Sequence, residues 1–344
     1  MHKVSVLLLW FITPALYAQT AHPKPGQPVD YGPLAFYPER WQAHQQNTML
    51  YPWEGKQLIF LTTKNDLDPK VMGIFLDRLD AAWSQYADMV GRSPNPYKLL
   101  NKKPLIAAVP DGRLTCGYGC GMVGATGIEV AAFYSFDYPQ VTKQPKAFPH
   151  YYFYEMGRNY YVFGDRHSSF VTGFAVFMRY VCMDAVGCED QDRQTRKQIE
   201  AAIDHYVQTN LTFLQAFTMQ GGMDEKTPRL KGVAGPSDQP VMYASAMLRL
   251  RKELGEAWLK RFYRELAQCP EIKPNRPDAA LQQCTHWMVA ASVAAKKDLS
   301  THFVDQWRLP MSKATRDALA GIPWNQPGLT TSSVLQKLSK AVSQ

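Results

Sequence analysis

Beyond its first sixteen residues the chain has no apolar run of the roughly 18 residues that a membrane-spanning helix needs, so no transmembrane segment is expected there. It has no G-x-S-x-G nucleophile elbow and no nucleic-acid-binding signature. Its basic residues are scattered, so a net charge of +8 reads as a solvated surface and not as a nucleic-acid footprint. An anionic glycan or cell-envelope polymer is the partner class which that charge leaves open. There is no internal repeat, and low complexity is confined to a polar tail from about Thr330.

What is present begins with an export signal. His2 and Lys3 precede an apolar run from Val4 to Leu16, and Ala15-Leu16-Tyr17-Ala18 offers small residues where a signal peptidase cuts. A signal peptide over 1–18 and an exported chain, periplasmic or extracellular, are therefore expected. Hydrophobic residues make up 46% of the sequence and aromatics 12%, which fits a packed globule and excludes a disordered chain. The six cysteines form three close pairs: Cys116 with Cys120, Cys182 with Cys188, and Cys269 with Cys284. In an exported protein they suggest three local disulfides, although spacing alone cannot fix the connectivity. A Cys-x-x-x-Cys metal site is the rival for the first pair, but Gly117, Gly119 and Gly121 suit a tight disulfide-closed loop better. Three bridges would leave no thiol nucleophile.

Residues 19–55 carry six prolines and no helical period, and are expected to be an extended arm. Gln57–Thr62 reads as a buried strand. Asp68-Pro69 reads as an N-cap followed by proline at the first helical position, opening an amphipathic helix that runs through Met72, Phe75, Leu79 and Tyr86 to Gly91. Strands follow at Leu105–Val109 and around Ile128–Ala131. After Pro149 nearly continuous helix is expected: Thr195–Gln208, Thr212–Met219, Val241–Ala267 and about Asp278–Lys297 follow two helices within 149–181.

Those two helices carry the most informative stretch. On a helix from Pro149 to Phe163, Tyr151, Tyr154, Glu155 and Arg158 share one face. The run Tyr154-Glu155-Met156-Gly157-Arg158-Asn159, followed by Thr172-Gly173-Phe174-Ala175, resembles the two motif helices of the gluzincin group of zincin metallopeptidases. There, H-E-x-G-H-N supplies two His ligands four residues apart, and E-G-F-A supplies a third ligand. Glu155, Gly157 and Asn159 match. Tyr154 and Arg158 stand at the His positions and Thr172 at the Glu position, so the resemblance implies a zincin-like fold whose zinc ligands have been replaced. Arg is cationic and Thr is not an anionic ligand, so no metal is expected at that position. The segment Asp298–Ser312 resembles the closing D-L-x-x-F-F-x-x-W-G-x-P-x-S of enhancin-like, mucin-degrading peptidases, with His302 and Arg308 in place of Phe and Gly.

The expected fold class is α+β, zincin-like: a small α/β subdomain over 56–147, then a mainly helical subdomain over 148–320 and a polar tail over 321–344. Three readings of the altered site stand side by side. A Glu155–Arg158 pair capped by tyrosines fills the old cavity. Alternatively, a remodelled pocket lined by Tyr151, Tyr154, Arg158, Asn159 and Thr172 binds a glycan or peptide, with Arg158 on a carboxylate or sulfate. In the third, Glu155 acts as base and Tyr154 as acid in a peptidase-like hydrolysis. No cofactor is expected; zinc held by His150 and His167 with Glu155 is the weak alternative. The first two readings make the chain a non-catalytic pseudo-peptidase or a structural module of the cell envelope.

Overall fold

Apolar side chains alternate along two expected strands, and each set finds its own core. The computed structural model of the chain describes residues 22–163, 168–217, 239–272 and 279–342, so the expected signal peptide and His167 lie outside the described residues. The described strands are β1 (Val29–Asp30), β2 (Met49–Glu54), β3 (Ile59–Thr62), β4 (Leu99–Leu100), β5 (Lys103–Ala108), β6 (Gly119–Gly121), β7 (Ile128–Val130), β8 (Ala147–Phe148) and β9 (Glu189–Asp190). The described helices are α1 (Pro38–Ala43), α2 (Pro69–Val90), α3 (Tyr138–Lys143), α4 (Tyr151–Tyr160), α5 (Ser168–Val186) and α6 (Arg193–Val207). They continue with α7 (Phe213–Phe217), α8 (Gln239–Leu254), α9 (Glu256–Leu266), α10 (Ala279–Ala295), α11 (Lys313–Ala320) and α12 (Thr331–Val342).

One mixed sheet takes the order β1-β2-β3-β5-β7-β6, with β4 paired to the start of β5. The central pairs β3–β5 and β5–β7 are parallel, and the edge strand β6 runs antiparallel to β7. Phe60, Ile106, Ala108, Ile128 and Val130 face the helices, while Ile59, Leu61, Leu105 and Ala107 face the opposite side. Both faces are covered, which is why β3 and the second half of β5 are buried without a break. The class is α+β, as expected, with the sheet ahead of a mainly helical half.

α2 joins β3 to β5 and matches its expected limits closely. The Asp68 carboxylate accepts the Lys70 N–H at 2.8 Å, Pro69 opens the helix, and Gly91 ends it at φ 69°. Its buried face brings Met72, Phe75 and Leu79 against Phe60 and Tyr152. Truncating Phe75 to alanine there removes about 3–5 kcal/mol.

Four expectations need correction. Residues within 19–55 are more than an extended arm: β1 and β2 extend the sheet, α1 lies outside it, and Tyr31, Trp41 and Leu50 build the second core. Proline hid this, because Pro52 sits inside β2 where a short alternating run was masked. The helix expected over 241–267 breaks at Gly255, whose φ of 80° is the left-handed conformation that ends α8 before α9 begins. The tail is not merely polar, because α12 buries Val334 and Leu338 against α10 and α11.

Of the three expected disulfides only Cys116–Cys120 is formed, while Cys182, Cys188 and Cys269 are thiols. Cys182 is buried on α5 in hydrogen-bonding contact with the Tyr86 hydroxyl. Cys188 lies past the helix end at Gly187, its thiol directed at the Met183 carbonyl 3.9 Å away. Cys269 follows α9, and burial pushes its thiol up to about 12.

Candidate functional site

α4 begins at Tyr151, just after β8, and packs against α5 on one side and β6 on the other. The α4–α5 contact is close because of glycine. A Cβ on Gly157 would stand 2.9 Å from the Ala175 Cα and 2.8 Å from the Tyr86 hydroxyl. Gly173 has the same role one layer further in, where a Cβ would meet the Tyr243 ring at 2.7 Å. Phe174, 1% exposed, packs among Tyr86, Tyr161, Phe163 and Tyr263. Gly157, Gly173, Phe174 and Ala175 therefore hold the two motif helices in register.

That register brings the altered positions together. Arg158 Nη1 lies 3.5 Å from the Thr172 hydroxyl, a long bond across the two helices, and both residues are half-buried. Glu155 is 6% exposed on the α4 face beneath β6. Gly119 and Gly121 make this cover possible: a Cβ on Gly119 would come within 2.8 Å of the Glu155 side chain, and one on Gly121 within 2.5 Å of its carbonyl oxygen. The Cys116–Cys120 disulfide closes the loop that delivers β6 to this place. Burial raises the Glu155 pKa to about 7, against the opposing pull of the Arg158 charge and the Gly121 N–H.

The expected Glu155–Arg158 ion pair is not formed. No carboxylate lies within salt-bridge distance of Arg158 among the described residues, and the guanidinium acts on Glu155 only through space. The reason is direction: Glu155 turns up to β6 and Arg158 turns across to α5.

The remaining expected residues scatter. Tyr151 and Tyr152 both donate to Asp137 Oδ2, the second at 2.9 Å, so Tyr151 is bound at the start of α4 and not free to meet a ligand. Burial raises the Asp137 pKa while the two hydroxyls oppose the rise. Asn159 is fully buried, and its Nδ2 donates to the Met122 and Gly127 carbonyls at 2.9 and 3.0 Å. It ties α4 to the turn after β6 and is a structural residue. Tyr154 is half-buried at the edge of the core. His150 turns away from Glu155 and meets Asp190 of β9, Nδ1 to Oδ1 at 3.2 Å.

Among the described residues no three His, Cys, Asp or Glu side chains converge as a metal site requires. Arg158 and Thr172 place a guanidinium and a hydroxyl in contact across α4 and α5. His150 is engaged elsewhere, and His167 is outside the described residues. Sequence reasoning missed Asp137, Asp190 and the cover formed by β6. Only the last had a signal, in the glycines alternating through the Cys116–Cys120 loop.

No protein-family model matches the sequence, and no curated protein matches it. Solved structures do. A functionally unknown conserved protein from Bacillus anthracis str. Ames aligns with TM-score 0.50 at 10% identity, over 84% of this chain and 56% of that one. A mutant of a functionally unknown conserved protein from Bacillus anthracis str. Ames aligns with TM-score 0.50 at 12% identity, over 83% of this chain and 56% of that chain. ZmpB metallopeptidase from Clostridium perfringens aligns with TM-score 0.43 at 13% identity, over 86% of this chain and 55% of that one. The chain spans a little over half the length of these proteins, and the likeness to the Bacillus chains is one of fold alone.

Proposed function

We propose that this is an exported, non-catalytic binding protein built on a zincin-like pair of motif helices. Its site takes an anionic group of a glycan or peptide. The observation that carries the reading is the contact of Arg158 with Thr172 across α4 and α5. A guanidinium stands where the resemblance places a metal, half-exposed and without a carboxylate partner among the described residues. Such a group binds carboxylate or sulfate through paired N–H donors, and the adjacent half-buried Tyr154 offers ring surface to a sugar or peptide.

A hydrolytic reading has one observation in its favour. Glu155 with a pKa of about 7 matches the value a general base needs near neutrality. Its 6% exposure beneath β6 argues against direct contact with a substrate.

The test is paired. Elemental analysis of protein purified without chelator or affinity tag is expected to give folded, metal-free protein; one zinc per chain overturns the reading. Binding to sulfated and uronate-bearing oligosaccharides and to peptides ending in a free carboxylate is then compared between wild type, Arg158→Lys and Arg158→Ala. Affinity is expected to fall at least tenfold in Arg158→Ala, partly in Arg158→Lys, and to weaken with salt. Affinity unchanged in Arg158→Ala rejects the site.

A further inference from the structure

Glu155 and Arg158 stand three residues apart on α4, so their side chains leave the same face of the helix. From there they diverge. The Glu155 carboxylate turns under β6, where it is 6% exposed and the backbone of Gly119 and Gly121 lies against it. Arg158 turns to α5, half-exposed, with the Thr172 hydroxyl at 3.5 Å and no carboxylate partner among the described residues. The two charges do not touch, yet protein lies between them in place of water, and they act on each other through it. Burial raises the Glu155 pKa to about 7, and the Arg158 charge opposes that rise.

The neighbours of Glu155 add no second ionisable partner among the described residues. On α4, Tyr151 donates to Asp137, and burial holds its hydroxyl far above the usual phenol range. Asp137 lies behind it and also takes the Tyr152 hydroxyl. Tyr154 is half-buried on the same helix, and His150 is engaged with Asp190. β6 brings two glycines and Cys120, whose sulfur is in the disulfide. Glu129 of β7 points to the opposite side of the sheet, where its carboxylate accepts the Tyr31 hydroxyl and the Phe36 N–H. α2 brings Tyr86, which donates to the Phe153 carbonyl. α5 brings Thr172, while its Arg179 lies over the Tyr180 ring.

Resting on the reading of Arg158 as the anion-binding group, we infer that the site takes up a proton on Glu155 as it takes its ligand, so that binding tightens in acid and loosens in base. An anion on Arg158 cancels the charge that favours the Glu155 carboxylate, so the acid form gains. The coupling is reciprocal: a protonated Glu155 leaves the Arg158 charge undiminished for the ligand, and an ionised Glu155 competes with the ligand for it. Glu155 touches no ligand in this scheme. It is a positioning residue for charge, set under its strand, and it makes the binding of a sulfate or carboxylate a function of pH.

The mature protein is titrated calorimetrically at constant ionic strength and about pH 5.5, 7.5 and 8.5. The probes are N-acetyl-trialanine and a monosulfated disaccharide, both ionised throughout that range. Affinity is expected to be about tenfold higher at the lowest pH than at the highest, the change that a coupling of about one pKa unit produces. Titrations near pH 7.5 in two buffers of different ionisation enthalpy are expected to show about half a proton taken up per ligand bound. Glu155→Gln is expected to hold the acid-side affinity across the range and to take up no proton. His150→Asn, which keeps a donor for Asp190, is expected to retain the wild-type pH profile. Arg158-dependent binding that is flat in pH or takes up no proton overturns the inference and leaves the anion-binding reading standing. A pH dependence that survives in Glu155→Gln, or is lost in His150→Asn, does the same. Binding that is unchanged in Arg158→Ala, or no saturable binding of either probe at 1 mM, overturns both.

Discussion

Gly157 matches the E-x-G of the gluzincin motif, and the structure gives it a packing role that can be measured. Replacing it with alanine puts a Cβ 2.8 Å from the Tyr86 hydroxyl, 2.9 Å from the Ala175 Cα and 3.2 Å from its Cβ. Tyr86 cannot simply rotate away, because it is fully buried and donates to the Phe153 carbonyl at 2.7 Å. Overpacking against backbone takes about 3 kcal/mol, and the strained tyrosine bond about 1 more. Alanine returns about 1 kcal/mol through its better helix propensity. The net expectation is a loss of about 3 kcal/mol, or roughly 4 °C in Tm for a chain of this size. Gly73, inside α2, is the control. A Cβ there meets only Pro23 at 3.5 and 3.9 Å, ordinary contact distances, so Gly73→Ala is expected to gain up to about 1 kcal/mol. Urea denaturation of both variants measures the pair. Equal or greater stability in Gly157→Ala refutes the packing role, and a loss in Gly73→Ala refutes the distance argument behind it.

Glu155 has a folded pKa raised to about 7, so its protonated form is favoured by folding and the resulting stability is lost as pH rises from about 4.5 to 7. Glu155→Gln, which keeps the shape without the ionisation, is expected to match wild type near pH 4 and exceed it by up to about 3 kcal/mol at pH 8; parallel pH–stability curves contradict this. Arg308 has φ 61° and donates to the Val207, Thr209 and Leu211 carbonyls at 2.8, 2.8 and 3.1 Å. Arg308→Gly is therefore expected to lose about 2 kcal/mol in bonds after strain relief, and Arg308→Ala about 1 more because it keeps the strain; alanine as stable as glycine in thermal unfolding rejects the balance. Thiol titration of unreduced protein in denaturant is expected to leave two of the six cysteines unreactive. Six unreactive cysteines would restore the three-bridge pattern. The triple change Tyr154→His, Arg158→His and Thr172→Glu is expected to create a one-equivalent zinc site, since the fold already holds 158 and 172 in side-chain contact. A folded triple variant without zinc refutes the gluzincin register of α4 and α5.

The sequence announced elements wherever one local signal agreed with one tertiary requirement. Asp68-Pro69 and Gly91 bounded α2 because caps act within a turn. The strands at β3 and β5 were readable because both faces are buried, leaving continuous apolar runs. β2 was hidden because Pro52 stands in the middle of its run, although β1 covers it. The candidate site was legible in its helical spacing but not in its direction. Period placed Tyr151, Tyr154, Glu155 and Arg158 on one face, yet each points to a different partner: Asp137, the core edge, β6 and Thr172. Those partners lie on other elements, 14 residues away in sequence for Asp137 and for Thr172, and helical period carries no information about them.

The residues that match the motif and those that do not divide by where they point. Gly157, Asn159, Gly173, Phe174 and Ala175 all face protein: a Cβ at either glycine would meet a neighbour under 3 Å away, Asn159 donates to two carbonyls, and Phe174 and Ala175 are buried. Tyr154, Arg158 and Thr172 are the half-exposed positions, reaching both protein and solvent. Glu155 matches the motif yet sits with the packing group by burial, which raises a separate requirement. A carboxylate 6% exposed beneath a strand needs a positive charge or a proton to remain there. Arg158 supplies part of that charge through space, but burial is the larger effect and leaves the Glu155 pKa raised to about 7. Arg158 and Glu155 are thus electrostatically coupled without an ion pair, one turned to α5 and the other to β6.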